Sequence, residues 1–316
     1  MRNILRDCYN AKGIESIGGQ LLKILLIGEK GQLAWELIRT LMPIGEVIPV
    51  DYPAFDITNK SQIEDTVSVI QPDLVINASA YTDVDGAESE RERAMAVNAE
   101  GPGRLAQICH TGRIPLIHYS TDFVFDGTKR TPYVETDTPN PINFYGVSKL
   151  KGELAIQATT DSYLIFRLAW LYSARGNNFV NKFLEWAKKY ETIKVVDDQI
   201  GNPTWARFVA EATTAILAQS LCSGEPLVDW VRQRAGVYHL TSDGEASRYD
   251  WACKIWEYAS NREQLRVKEV LRAKSIDFPT PAARPAYSPL DCEKIYSSFS
   301  LTIQNWINHL RHHLFQ

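Results

Sequence analysis

Tyr145 and Lys149 stand four residues apart in Tyr145-Gly146-Val147-Ser148-Lys149. On a helix that spacing puts a phenol and an ammonium on one face. A free tyrosine titrates near pH ~10 and gives up its proton reluctantly at neutral pH. A fixed cation beside it favours the phenolate and moves its pKa down, which suits a group that protonates an alkoxide as it forms. Taken alone, such a pair usually means a half-buried ring beside a solvated lysine. Its neighbours add the chemistry. Ser120-Thr121-Asp122 follows an apolar run at 115–119, and hydroxyls at the carboxyl edge of a parallel strand face the ligand crevice of an open α/β sheet. Thr121, Tyr145 and Lys149 then converge on one carbonyl, with two hydroxyls at its oxygen and a cation behind. That arrangement stabilises an oxyanion and carries its own proton donor.

Elements in the right order are needed to bring those residues together. Residues 23–27 form a short apolar run that fits a buried parallel strand. Gly28-Glu29-Lys30-Gly31-Gln32-Leu33-Ala34 follows, then a helical pattern to residue 41. Strand, glycine turn and helix together make a phosphate-binding device, because glycine lets the backbone approach a pyrophosphate and the helix start offers free N–H groups. A second strand at 47–50 ends at Asp51, where a carboxylate accepts the hydroxyls of an adenosine ribose; an ordinary strand-end turn residue is the alternative. A helix is expected at 60–70, capped by Asp56 or Thr58. A third strand at 74–77 leads into the small residues Ala78, Ser79 and Ala80 before Tyr81 and Thr82. The next helix, 88–110, is expected to break near Gly101-Pro102. Beyond Tyr145 the pattern gives a strand at 163–167, a helix at 179–190, a strand at 193–196, a helix at 207–221 and another at 248–260.

The glycine turn, Asn77-Ala78-Ser79-Ala80-Tyr81-Thr82, Ser120-Thr121-Asp122-Phe123-Val124-Phe125-Asp126-Gly127 and the tract from Tyr145 to Glu153 together resemble the extended short-chain dehydrogenase/reductases. Within them the chain is most similar to the dTDP-4-dehydrorhamnose reductase subfamily. Arg167-Leu168-Ala169-Trp170-Leu171-Tyr172, Gly176-Asn177-Asn178-Phe179, the tract from Asp198 to Thr204 and the tract from Arg284 to Leu290 carry that narrower likeness. It runs from about Lys23 to the end of the chain. Departures are Ala34 where the family usually has glycine, Phe123 where it often has tyrosine, and residues 1–21, which precede the usual start and read as a loosely ordered leader.

The resemblance implies an α/β fold: a Rossmann-type doubly wound parallel sheet (22–169 with about 193–235) and a smaller C-terminal substrate-binding lobe (about 170–192 with 236–316). It implies NADH or NADPH as cofactor, with NADH slightly favoured, held by Gly28, Gly31, Gln32, Leu33, Asp51, Asp56, Ile57, Ala80, Tyr81, Thr82, Tyr145 and Lys149. The substrate implied is a dTDP-sugar, contacted by Thr121, Asp122, Trp170 and Arg284. The reaction implied is reduction of the C4 keto group of dTDP-4-dehydro-L-rhamnose, with Thr121, Tyr145 and Lys149 catalytic. Members often form homodimers, some metal-linked through Mg2+, although no metal-spaced ligand cluster stands in this sequence. Two rivals remain: a sugar-nucleotide epimerase or dehydratase on the same fold, and a non-catalytic NAD(P)-binding regulatory subunit. Asp122-Phe123 after Thr121, in place of Asp-Glu, argues against a dehydratase, and the intact set of Thr121, Tyr145 and Lys149 argues against a mere binder.

The remaining features narrow the setting. A net charge of −4 with 23% charged residues gives no electrostatic case for nucleic acid. No apolar run approaches the ~20 residues that span a bilayer, so no membrane partner is expected. Cys8, Cys109, Cys222, Cys253 and Cys292 are scattered and odd in number, which reads as reduced thiols in a cytoplasmic protein.

Overall fold

The computed structural model describes residues 22–262 and 264–315; the leader read at 1–21 lies outside them. Its centre is a six-stranded parallel sheet: β1 (Leu22–Ile27), β2 (Gly45–Val50), β3 (Leu74–Asn77), β4 (Leu116–Thr121), β5 (Tyr163–Leu168) and β6 (Gly236–His239). The spatial order is β6-β5-β4-β3-β1-β2. After β2 the chain crosses β1 to lay down β3 on its other side, so the winding reverses between β1 and β3. A ligand crevice opens at the carboxyl ends of strands at such a reversal. Register aligns Ile27 with Asn77, Asn77 with His118, and Thr121 with Leu168. The ends that carry Gly28, Ser79 and Thr121 therefore share one edge.

Both faces of the sheet are covered, and alternation along β1 shows how. Ile24 and Leu26 join a core with Leu33, Leu37 and Leu41 of α1 (Gln32–Leu41). Leu25 and Ile27 join another with Ile63 and Val67 of α2 (Lys60–Ile70) and Leu105 of α3 (Gly101–Gly112). Each fully buried aliphatic side chain contributes roughly 1.5–3 kcal/mol relative to exposure, so a one-residue slip of β1 is strongly disfavoured. Beyond the sheet lie α4 (Phe144–Thr159), α5 (Phe179–Lys189), α6 (Ala206–Ser223) and α7 (Arg248–Ser260). The expected Rossmann-type α/β class is what the chain adopts.

Several local expectations change. Asn59 caps α2, its side chain accepting from the Gln62 N–H at 3.2 Å. Asp56 is turned instead to the N–H and hydroxyl of Thr58, both at 2.8 Å, a local turn that competes with capping. The helix does not break at Gly101-Pro102. A π-helical turn, Ala96–Glu100, runs directly into α3, and Pro102 falls in the first turn, where no N–H is needed. The interruption comes earlier, at Glu90.

Two segments lie on the other side of the expected division between sheet and lobe. Residues 236–239 form β6 on the open edge of β5. Thr192–Val196 pairs in parallel with Glu269–Ala273, outside the large sheet. Alternation identifies a strand but not its partner, which the rest of the packing selects.

Candidate active site

The floor of the site is the glycine turn. Gly28 has φ +100°, and a Cβ there would lie 2.7 Å from the Ser79 N. Only glycine permits β1 and β3 to end so close together. Gly31 precedes α1 and offers no side-chain cap, and no acidic residue stands in the first turn. The N–H groups of Gln32 and Leu33 thus lie at an uncapped positive helix end, the environment a pyrophosphate requires. Leu33 and Ile57 place their side chains in the core, so only their backbones are available to a cofactor. Asp51 accepts from the Lys30 N–H at 2.8 Å and the Tyr52 N–H at 2.7 Å, one to each carboxylate oxygen. A second lone pair on each oxygen stays open to a ribose. Ala80, Tyr81 and Thr82 continue from β3, and the side-chain amide of Asn98 grips both backbone groups of Tyr81, at 2.8 and 3.0 Å.

Thr121 ends β4, and α4 brings Tyr145 to it. Asn143 caps α4 by accepting from the Gly146 N–H at 2.8 Å. A Cβ on Gly146 would lie 2.1 Å from the Phe123 carbonyl oxygen, so glycine lets the helix start press against the turn after Thr121. The Phe123 ring meets Tyr145 edge-on, with centroids 5.8 Å apart. Burial pushes the Tyr145 phenol up to about 12, against a lowering by its hydrogen bond with Thr121. Asp122 points away from the crevice floor: it accepts from Thr121 Oγ1 at 3.0 Å and from Ser288 Oγ at 2.6 Å. Burial raises its carboxyl to about 6.

The expected effect of Lys149 on Tyr145 is not what the geometry gives. Lys149 is buried, its Nζ donates to the Tyr119 carbonyl at 2.7 Å, and it lies 3.3 Å from His118 Nε2. The groups that shift Tyr145 are Thr121 and Asp122, not the ammonium. Asn77 Oδ1 accepts from the Ser79 N–H and hydroxyl, which leaves its amide N–H toward His118 Nδ1 at 3.1 Å. Burial draws the Lys149 ammonium down to about 8, with Glu153 one turn on pulling upward.

The two residues of the second half expected to contact substrate, Trp170 and Arg284, are both engaged with other protein groups. Trp170 is half-buried at φ +42°, a left-handed conformation that costs a bulky residue on the order of 1–3 kcal/mol and persists where surroundings over-determine it. Its ring stacks on Trp251 at 5.7 Å, abuts Gly201, and carries the Arg248 guanidinium 3.6 Å from its centroid. Arg284 does not offer a free fork: it is bidentate to Asp85, 2.7 Å on each arm, and also donates to Thr280 Oγ1 and the Ala282 carbonyl. His118, Asn98, Ser288 and Arg248 went unread in the sequence. Only Asn98, a polar residue among small ones in a helical stretch, left any local signal. No group of three or more His, Cys, Asp or Glu among the described residues is placed to hold a metal ion, and no helix there is long and apolar enough to cross a membrane.

Known proteins resemble this chain along most of its length. The pattern of the RmlD substrate binding domain matches residues 22–316. A dTDP-4-dehydrorhamnose reductase from Burkholderia thailandensis is 40% identical, over 90% of this chain and 95% of its own. The enzyme of that name from Salmonella typhimurium is 38% identical, over 90% and 94%. Among solved structures, the Bacillus anthracis dTDP-4-dehydrorhamnose reductase in complex with NADP superposes with a TM-score of 0.84 at 33% identity, covering 94% of this chain and 99% of that one. A UDP-glucose 4-epimerase from Thermotoga maritima, at 17% identity and TM-score 0.74, shares the fold alone. With the glycine turn, the Thr121–Tyr145 pair and a match running from β1 to the last residue, the chain belongs to the RmlD substrate binding domain family.

Proposed function

We propose that this chain reduces the C4 keto group of dTDP-4-dehydro-L-rhamnose with a nicotinamide cofactor. The observation that carries the reading is the seating of the Tyr145 end of α4 against Phe123, just past Thr121 at the carboxyl end of β4, on the strand edge that also holds the glycine turn. Gly28, Gly31 and the first N–H groups of α1 hold the cofactor's pyrophosphate, Asp51 its adenosine ribose, and Lys149 its nicotinamide ribose. When bound, the cofactor supplies the hydride that reduces C4. Thr121 orients the carbonyl, and Tyr145 delivers the proton to its oxygen. A phenol pushed up to about 12 is protonated at neutral pH, which makes it a donor in the reductive direction. Oxidation of NADH and NADPH, followed against a panel of nucleotide-linked 4-keto sugars, tests the reading; turnover of none of them would sink it.

Asp51 sets the cofactor preference in this reading. Its carboxylate accepts a ribose diol and repels a 2′-phosphate, whereas the Lys30 ammonium is tied to the Tyr52 carbonyl. Both cofactors are expected to work, with a modest NADH preference in kcat/KM that Asp51→Ala shifts toward NADPH. A strong NADPH preference unmoved by that substitution rules Asp51 out as the ribose reader.

A further inference from the structure

Two guanidinium groups, Arg248 and Arg284, lie close enough to repel one another, and their circumstances are opposite. Arg284 is saturated by Asp85, Thr280 and Ala282. Arg248 makes no side-chain hydrogen bond or ion pair among the described residues. Its guanidinium carbon lies over the Trp170 ring, 3.6 Å from the centroid, with the Phe179 and Trp251 rings at 5.3 and 5.5 Å. Asp122 attracts it and Arg284 repels it, while burial draws it down to about 9, so it stays charged at neutral pH. Asp122 attracts Arg248 without a direct hydrogen bond or ion pair to it; its carboxylate accepts instead from Thr121 and Ser288.

Arg248 is also held in place from behind. It is the first residue of α7, directly after the Ser247–Asp250 capping box. Its own N–H donates to the Gln199 carbonyl at 3.2 Å. A guanidinium stacked on an indole keeps its N–H donors in the ring plane, pointing outward from the stack. The side chain is half-buried, and its N–H donors have no protein partner among the described residues, so the fork is available to a ligand. A planar fork of donors matches two oxygens of a phosphate or carboxylate.

We propose that Arg248, braced on Trp170, grips the diphosphate of the sugar nucleotide. The proposal rests on the reading of the chain as a sugar-nucleotide reductase and moves the anion-recognising role from Arg284 to Arg248. It also changes the part Trp170 plays: one face of the indole is a platform for the guanidinium.

Calorimetric titration of dTDP, with NADH as the control ligand, tests this in Arg248→Gln and Arg248→Met. Loss of a charged hydrogen-bonding fork is expected to weaken dTDP at least about tenfold, with NADH affinity unchanged. In turnover the loss is expected to appear in KM for the sugar nucleotide, with kcat within about threefold. Unchanged dTDP affinity in either folded variant overturns the proposal. If both variants melt below the assay temperature, the wild type carries the test: dTDP affinity that does not fall between about 50 and about 500 mM salt overturns it. Tight, Arg248-dependent dTDP binding without reduction of any 4-keto sugar would overturn the assigned reaction and leave the anion site standing.

Discussion

At the scale of single residues, the site divides its labour between a donor kept protonated and a cation kept on the edge of neutrality. Tyr145→Phe removes the one group proposed to deliver the proton and is expected to lower kcat by roughly 10²–10⁴-fold with cofactor affinity intact; activity within a few-fold of wild type contradicts the assignment. The pH profile follows from three shifts. Lys149 at about 8 is charged below that pH and neutral above it. Asp122 at about 6 is the anion that Thr121 and Ser288 require above that pH, and protonated below it. Tyr145 at about 12 titrates outside the range. Since kcat/KM reports the groups of the free enzyme, reduction should peak between about 6 and about 8. Lys149→Met should be slow and lack the alkaline limb. A wild-type profile flat to about pH 10 shows that the Lys149 charge is not used.

Elements matter here through how tightly their ends approach. The start of α4 is seated by the Asn143 cap and by the missing side chain of Gly146, which leaves room for the Phe123 carbonyl. Gly146→Ala must push Tyr145 away from Thr121, and displacements near 1 Å cost on the order of 10²-fold in rate. A fall of at least about tenfold in kcat is expected, while Leu154→Ala, exposed on the same helix, leaves kcat unchanged; equal rates for both remove Gly146 from the argument. Elements of this kind were the readable part of the sequence. Apolar runs beside glycine or proline marked β1, β3 and β4, and an apolar run alone marked β5, because burial on both faces leaves that signature locally. What escaped was set by partners far along the chain. The π-helical turn that carries Asn98 has no composition of its own, and the Arg284–Asp85 pair joins residues 199 apart. His118 reads as an ordinary strand residue until Asn77 and Lys149 are found on either side of it.

On the scale of the whole molecule, one tract near the C-terminus closes the site over the sheet. Arg284 ties it to Asp85, the Ala283 carbonyl accepts from Asn143, Ser288 reaches Asp122, and the Leu290 N–H donates to Asn202. If Arg284 serves this closure, Arg284→Gln and Asp85→Asn break the same link. They should then act alike, raising KM for the sugar nucleotide by about three- to tenfold with dTDP affinity little changed. An Arg284 that binds diphosphate directly would instead make Arg284→Gln weaken dTDP and Asp85→Asn leave it untouched. The position of that tract also sets an order of assembly on the ribosome, where domains fold from the N-terminus as the chain emerges. The glycine turn, Asp51 and Ala80 to Thr82 are all made within the first third of the chain, whereas the hydroxyl that completes the Asp122 cluster belongs to residue 288. A nascent chain thus carries a finished phosphate turn well before it owns a finished reaction centre, and translation stopped short of Ser288 yields a protein that can hold nucleotide yet has no ordered carboxylate behind Thr121.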